Sequence, residues 1–410
     1  MGKGILHGVK VADFTTAIAG PLACRMLAAE GATVIKLECH KYPDSVRFVV
    51  PYKDDIPGID RSTQFAFYNF SKHSISVDIR KPQGQDIARR LIRWSDAVVE
   101  NMSTGSMARL GLDYESCLQI KPDIIYISSS SLGRTGPLAS YSAWGYHHGP
   151  LAGFSHLIGW PDRVPCGDAI AYTDALTPAF SVIALVGALM YRRQTGKGVY
   201  IDHSQTETGI YFLGPAMLDF LVTGTIASRQ GNRDPYMAPH GVFPCRGNDR
   251  WVALAVSNES EWQAFCKTLG REEWLKDPRF ATLMTRKKNE DELERLISTW
   301  TASRTAEEVT GLLQSAGVAA GPVATAEDLF HDPQLKRRGH FGTLEHEIIG
   351  RYSYELPAFR FSKIPPQPQR PAPLIGEDNE HILKEMLGYT DSEIAEFLIA
   401  GAITTEADQA

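Results

Sequence analysis

The sequence predicts an α/β protein: a large domain built on a doubly wound, mostly parallel sheet, plus a smaller α+β domain. In the N-terminal third, short apolar strands alternate with helical stretches, which is typical of a parallel sheet with helices on both faces. After residue 224 the pattern changes to a hairpin followed by charged helices. A chain of 410 residues is also too long for one compact core. The expected domains are a first part of the large domain at 1–224, a small domain at 225–321, and an extended linker with the C-terminal part of the large domain at 322–410.

The large domain begins with a βαβ unit over residues 8–38. Strands are predicted at 9–14 and 33–38, and the helix between them, at 21–30, is opened by Gly20-Pro21. Further apolar and β-branched runs predict strands at 74–79, 97–100, 124–128 and 199–203, and helices at 82–94 and 113–120. Ligands of such sheets bind beyond the carboxyl ends of the strands. The loops 101–109 and 128–146 follow two of these ends.

The C-terminal half has a different pattern. A hairpin is predicted from runs at 242–244 and 251–256, and helices at 259–269, 289–301 and 306–315. From about residue 322 the chain is expected to be extended and, at 364–376, proline-rich, which indicates a strap returning to the large domain.

Composition narrows the class of protein. A net charge of −6 gives no support to nucleic acid or an anionic membrane as partner. The six cysteines are widely spaced without a CxxC pair, which favours reduced thiols in the cytoplasm over a disulfide framework or a zinc site. The N-terminus has no apolar stretch typical of a signal peptide, and the apolar run 175–191 is interpreted as a core helix rather than a membrane span. We expect no metal and no permanently bound cofactor.

Asp174 is the candidate nucleophile. It immediately precedes a nearly all-apolar stretch in which apolar residues recur at helical spacing, so it is placed at the N-cap of a helix buried on all sides. There the helix dipole keeps a carboxylate ionised. A nucleophilic Asp suits this position, and a purely structural cap is the alternative.

Basic residues near strand ends are the second feature. They suit a phosphorylated ligand, with a solvated charged surface as the alternative. They are Lys72, His73, Arg80, Lys81, Arg109 and Arg134.

Five segments, in order along nearly the whole chain, resemble the family III CoA-transferases, a group related to α-methylacyl-CoA racemase. They read DFTTAIAGPLACRMLAAEGATVIKLE, SKHSISVDIRKPQG, VVENMSTGSMARLGLDYE, the Asp174 helix with RRQTGKG, and APLIGEDNEHIL. The resemblance implies an interlocked dimer of ring-like subunits. It also implies that Asp174 attacks an acyl-CoA to form an anhydride and then an aspartyl-CoA thioester.

The resemblance also implies a CoA site. Its residues are Asn101, Met102, Arg109, Arg80, Val77, Ile18, His40 and Lys72. Met102 replaces the commoner phenylalanine, and His40 stands where an arginine is usual, which weakens one phosphate contact. Ile18 replaces a glutamine of formyl-CoA transferases, so formyl or oxalate chemistry is not expected.

A substrate pocket is predicted at Trp144, Gly145, Tyr146 and Tyr236. The three aromatic rings among them suit an aryl or branched acyl group. Trp144 and Gly145 stand where the racemases carry a histidine and where an acidic residue is common, which argues against racemisation.

The resulting hypothesis is transfer of CoA from a donor such as succinyl-CoA to an aryl-substituted or dicarboxylic acid. One alternative is a non-catalytic CoA-binding subunit of a heteromer with a paralogous chain. Another is a 2-methylacyl-CoA racemase.

Overall fold

The protein, described from a computed structural model, divides into two compact units. The described residues are 4–167, 170–364 and 370–404. The first unit comprises Met1–Phe154, Gly167–Ile226 and Arg337–Ala410, and the second Ser155–Cys166 and Ala227–Lys336. The unit boundaries fall after residues 226 and 336, whereas the predicted domain boundaries are 224 and 321, and the stretch 155–166 belongs to the second unit.

The strands form three sheets. They are β1 (Lys10–Phe14), β2 (Thr33–Glu38), β3 (His73–Ser76), β4 (Ala97–Glu100), β5 (Ile125–Ser130), β6 (Val199–Ser204), β7 (His240–Pro244), β8 (Trp251–Ala255), β9 (Ala319–Pro322), β10 (Phe341–His346) and β11 (Gly350–Glu355). The largest sheet has the order β3-β2-β1-β4-β5-β6, and each neighbouring pair in it is parallel. This order reverses direction between β1 and β4, which makes the carboxyl ends of those strands the expected binding edge.

The helices alternate with these strands. They are α1 (Ala19–Ala29), α2 (Thr63–Asn69), α3 (Pro82–Trp94), α4 (Ser106–Arg109), α5 (Tyr114–Ile120), α6 (Gly145–Ala152), α7 (Phe154–Leu157), α8 (Tyr172–Thr195), α9 (Gln205–Tyr211), α10 (Gly214–Thr223), α11 (Glu259–Leu269), α12 (Leu283–Lys288), α13 (Glu290–Thr301), α14 (Ala306–Ser315), α15 (Ala326–His331), α16 (Pro333–Arg338), α17 (Asn379–His381) and α18 (Asp391–Ile399). Short 3₁₀ turns occupy Ser45–Phe48, Lys53–Asp55 and Glu272–Leu275, and Ile382–Met386 is a π-helical turn.

Both faces of the large sheet are covered. Ala12 and Phe14 of β1 point into a core shared with α3, α5 and the C-terminal helices, whereas Val11, the residue before Ala12, points into a core shared with α1 and α8. This alternation follows from the two-residue repeat of a strand. The predicted mixed α/β fold with a mostly parallel sheet is therefore confirmed.

Helix α8 differs from its prediction in two ways. Asp174 is not the N-cap, which is Ala171, but lies in the first helical turn. The helix is also not buried on all sides, since Ile183 is 67% and Met190 60% exposed. By length and composition α8 is the one described helix that could cross a membrane, a criterion that core helices of soluble proteins also meet.

The C-terminal region is more structured than predicted. Helices α15 and α16 and the antiparallel hairpin β10–β11 occupy most of 326–355, where an extended chain was expected. Residues 365–369 of the proline-rich stretch lie outside the described residues. Beyond them the strap returns to the large sheet, because Ser71 N donates to Arg370 O (2.9 Å) and Ser74 N to the Asp378 carboxylate (2.9 Å).

The second unit contains the antiparallel sheet β7-β8-β9 and helices α11 to α14. Its core includes Trp262, whose ring stacks on that of Trp274 with 6.2 Å between centroids. Helices α11 and α14 begin and end where the sequence predicts.

Candidate active site

A cavity of about 480 Å³ opens at the carboxyl edge of the large sheet. Its walls come from the segments that follow four adjacent strands, namely 14–16 after β1, 37–44 after β2, 77–80 after β3 and 102–110 after β4. The cavity thus spans the point where the strand order reverses, as expected for a parallel sheet of this order.

Four of the residues predicted to bind CoA line this cavity: Val77, Arg80, Met102 and Arg109. Sequence reasoning missed Tyr42, which also lines it and is 57% exposed. The Arg80 guanidinium lies 3.8 Å from the centroid of the Tyr42 ring, within cation–π distance. Arginines beside an exposed aromatic ring and apolar side chains suit a ligand that has both phosphates and a planar base.

Three other predicted residues lie beside the cavity without lining it. Asn101 holds the turn after β1, accepting from Thr16 N and donating to Thr16 O, both at 2.8 Å. Ile18 is the N-cap of α1. His40 donates its backbone N–H to Ser76 Oγ (3.1 Å), and its buried Nδ1 has no hydrogen-bond partner among the described residues.

Lys72 does not lie in the cavity. Its side chain is fully buried, and Nζ donates to Asp13 Oδ2 and to Asn69 Oδ1, each at 2.8 Å. Burial raises the pKa of Asp13, but the charges of Lys72 and Lys36 outweigh this and leave it below its usual value. Lys72 therefore belongs to an ionic core under the site, and the prediction that it contacts CoA is not supported by its position.

A second buried pair shapes the turn after β1. Lys36 Nζ donates to Asp44 Oδ2 and to Thr15 O, both at 2.8 Å. Asp44 Oδ1 accepts from Ala17 N at 2.8 Å. Ala17 has a φ of 65°, a left-handed conformation that a non-glycine residue adopts only when its surroundings enforce it. The pair therefore stabilises the turn that forms one cavity wall.

Asp174 lies at the same edge of the sheet. Helix α8 leads into β6, which is parallel to the other strands, so the helix runs antiparallel to them. The N-terminus of α8 therefore lies toward the carboxyl ends of the strands. Burial raises the pKa of Asp174 from 3.8 to about 6, so the carboxylate is ionised at neutral pH. A partly desolvated carboxylate is a better nucleophile than a fully solvated one.

Gly145, the first residue of α6, lies directly against Asp174. A Cβ placed on Gly145 would come within 2.0 Å of Asp174 Oδ2 and 2.6 Å of the Ala171 Cβ, so no larger residue fits without displacing the carboxylate. The N-termini of both α6 and α8 thus face this group, and their dipoles favour negative charge there.

Three of the four residues predicted to form the substrate pocket are consecutive at the start of α6. Trp144 and Tyr146 flank Gly145 and are 67% and 63% exposed, whereas Tyr236 belongs to the second unit and is 78% exposed. Tyr68 was missed by the sequence reasoning. Its pKa is raised by burial and then by the negative charge of Asp174. Within the described part of the chain, no group of three His, Cys, Asp or Glu could hold a metal ion.

Comparison with known proteins agrees with the resemblance seen in the sequence. The family described as CoA-transferase family III matches residues 6–379. Succinyl-CoA:glutarate CoA-transferase of Mus musculus is 32% identical over 403 residues, covering 97% of this chain and 90% of that protein. Succinate–glutarate CoA-transferase of Agrobacterium fabrum is 32% identical over 392 residues, covering 94% and 96%. A CAIB/BAIF family protein from Brucella suis has a solved structure with a TM-score of 0.86 and 31% identity, covering 94% and 100%. The chain therefore belongs to CoA-transferase family III.

Proposed function

We propose that this protein transfers CoA from succinyl-CoA to a carboxylic acid, with Asp174 as the nucleophile. The observation that carries the proposal is a partly desolvated carboxylate at the sheet edge that also holds a cavity suited to a nucleotide. The succinyl donor is supported by the names of the two glutarate transferases that resemble this chain.

The reaction proceeds in four displacements in this proposal. The Asp174 carboxylate attacks the donor thioester carbonyl, the C–S bond breaks, and CoA leaves as the thiolate from a mixed anhydride. The thiolate attacks the aspartyl carbonyl of that anhydride, which releases the donor acid and leaves an aspartyl-CoA thioester. The acceptor carboxylate then displaces the thiolate again, and the thiolate attacks the acceptor's acyl carbon to give the new thioester and regenerate Asp174. No net proton is taken up or released.

The surroundings of Asp174 support this chemistry. Both acyl-aspartyl intermediates hydrolyse if water reaches them, so a buried carboxylate is an advantage. Each displacement passes through a tetrahedral oxyanion, and backbone N–H groups in the first turns of α6 and α8 are the nearest candidates to stabilise it.

The nucleotide half of CoA occupies the cavity in this proposal. Arg80 and Arg109 meet its phosphates, while Val77, Met102 and Tyr42 contact the adenine. For the acceptor, the relatives' names favour a dicarboxylic acid, and the exposed rings of Trp144 and Tyr146 favour an aryl acid. An assay with glutarate and an arylalkanoate in parallel separates the two classes.

The test is to trap the covalent enzyme. After incubation with succinyl-CoA and borohydride or hydroxylamine, we expect mass spectrometry to map a modification to Asp174, and the purified chain to transfer CoA without any partner. A chain that binds CoA yet forms no adduct and acts only with a co-expressed paralogue would instead be the non-catalytic subunit. Loss of C2 deuterium from a labelled 2-methylacyl-CoA in the absence of transfer would indicate a racemase.

We also propose that two copies of this chain form the interlocked dimer. The apolar face of α8 that the sequence predicted to be buried is exposed, and α10 exposes Leu218 (62%), Leu221 (74%) and Val222 (83%). The Phe180 ring of α8 lies 5.9 Å from that of Phe212, in the turn between α9 and α10. Exposed apolar side chains of this kind are typical of an interface.

Sedimentation equilibrium tests the dimer. We expect twice the chain mass of 45.3 kDa at micromolar concentration, and loss of that species in Leu221→Asp. Glu385→Gln, an exposed change on another part of the first unit, serves as the control. A monomer for the unmodified chain would refute the proposal.

The six free cysteines support a reducing compartment, and we propose that the protein lies in the cytoplasm.

A further inference from the structure

The loop after β4 carries two residues that line the cavity, Met102 and Arg109. The backbone N–H and the carbonyl of Met102 are both hydrogen-bonded. Its N–H donates to Glu100 Oε2 at 2.8 Å, and its carbonyl accepts from Arg134 Nη2 at 2.8 Å. The position of the Met102 side chain in the cavity is thus set by a carboxylate and a guanidinium behind the loop.

Arg134 joins this loop to the sheet. Its Nη2 also donates to both Glu100 oxygens, at 3.0 and 3.2 Å, and its Nη1 to Thr104 Oγ1 at 3.1 Å. Its Nε donates to Ser128 Oγ at 2.6 Å, and Ser128 Oγ in turn donates to Glu100. One guanidinium therefore contacts the ends of β4 and β5 and two residues of the loop.

The guanidinium lies on the far side of the loop from the CoA cavity. Arg134 is absent from the residues lining that cavity and instead lines a neighbouring one of about 300 Å³, together with Thr104 and Glu100. Its side chain is 13% exposed and that of Glu100 4%. A basic residue at a strand end suggests by itself a phosphate ligand, but here all three guanidinium nitrogens donate hydrogen bonds to protein oxygens.

We propose that Arg134, paired with Glu100, is a positioning residue that holds the loop 101–109 in the conformation that binds the nucleotide half of CoA. This inference rests on the proposed CoA site. The five donors of a guanidinium, fixed in one plane, can reach the carboxylate, the carbonyl and the hydroxyls at once, which a lysine ammonium cannot do.

The experiment compares Arg134→Met and Arg134→Lys with the unmodified protein for two ligands, CoA and a succinyl-pantetheine thioester that lacks the nucleotide. We expect CoA to bind about ten- to hundredfold more weakly in both variants, because the hydrogen bonds by which the Arg134 guanidinium holds the loop are lost. Pantetheine affinity and the rate of adduct formation at saturation should change less than about twofold. Thermal melting reports the fold, and Arg271→Met, an exposed arginine of the second unit, is the matched control.

A second variant keeps the inference testable if Arg134→Met unfolds because Glu100 is left as a buried, unpaired charge. Glu100→Gln/Arg134→Met removes both charges, and we expect it to melt near the unmodified protein while still binding CoA weakly. Unchanged CoA affinity in any folded variant, or equal losses for CoA and pantetheine, overturns the inference. Failure of the unmodified protein to bind CoA at all would contradict the proposed function instead.

Discussion

Asp174→Asn is expected to lower the rate of CoA transfer by about 10⁴-fold or more, because the amide cannot form the anhydride on which both half-reactions depend. The shape of the side chain is kept, so CoA should bind with unchanged affinity. Steady-state transfer from succinyl-CoA, together with calorimetric titration of CoA, checks both expectations. Retained transfer in the variant would falsify the assignment of the nucleophile.

The raised pKa of Asp174 predicts how both the stability and the activity of the protein depend on pH. Burial raises it from 3.8 to about 6, so between pH 4 and 6 the folded state holds a proton that the unfolded state has lost. Stability therefore falls as the pH rises through this range, and the ionised carboxylate destabilises the fold at pH 7. The Asp174→Asn variant lacks that penalty and should melt at the same temperature as the unmodified protein or higher.

For the unmodified enzyme, kcat/KM should fall about tenfold per pH unit below pH 6, because only the ionised form of Asp174 attacks the thioester.

Lys72→Met is expected to destabilise the protein by about 3–5 kcal/mol, because it leaves Asp13 buried without its cation. Both side chains are fully buried and their charged atoms lie 2.8 Å apart. Urea unfolding followed by circular dichroism measures the change. Lys41→Met, at an exposed position next to the cavity, should alter stability by less than about 0.5 kcal/mol.

A double variant separates the pair from its neighbours. Asp13→Asn/Lys72→Met should recover part of the lost stability, since the uncompensated charge is gone. If Lys72→Met proves as stable as the unmodified protein and loses CoA affinity alone, Lys72 is a ligand contact after all. That result would contradict the buried arrangement of this side chain.

Local signals in the sequence determined the secondary elements closely. Helix α3 covers Pro82–Trp94 as predicted, because a proline at the first helical position and an amphipathic repeat act within the helix itself. Helix α14 likewise matches, since Thr305 and Glu308 form a capping box at its start. The alternation of strands and helices gave the parallel sheet, and the motifs around Asp174 and Asn101 gave the family.

The tertiary structure decided which residues share an environment. Lys72 and Arg80 are basic residues just before and just after β3. Lys72 pairs with Asp13, 59 positions earlier in the chain, whereas Arg80 lines the cavity beside Tyr42. Arg134 looked like a phosphate contact until its partners from β4 and β5 were known. The contact between Gly145 and Asp174 depends on the packing of α6 against α8. Such pairings are non-local, and a charge's partner, burial and pKa are fixed only when distant segments meet, so no pattern along the chain could have specified them.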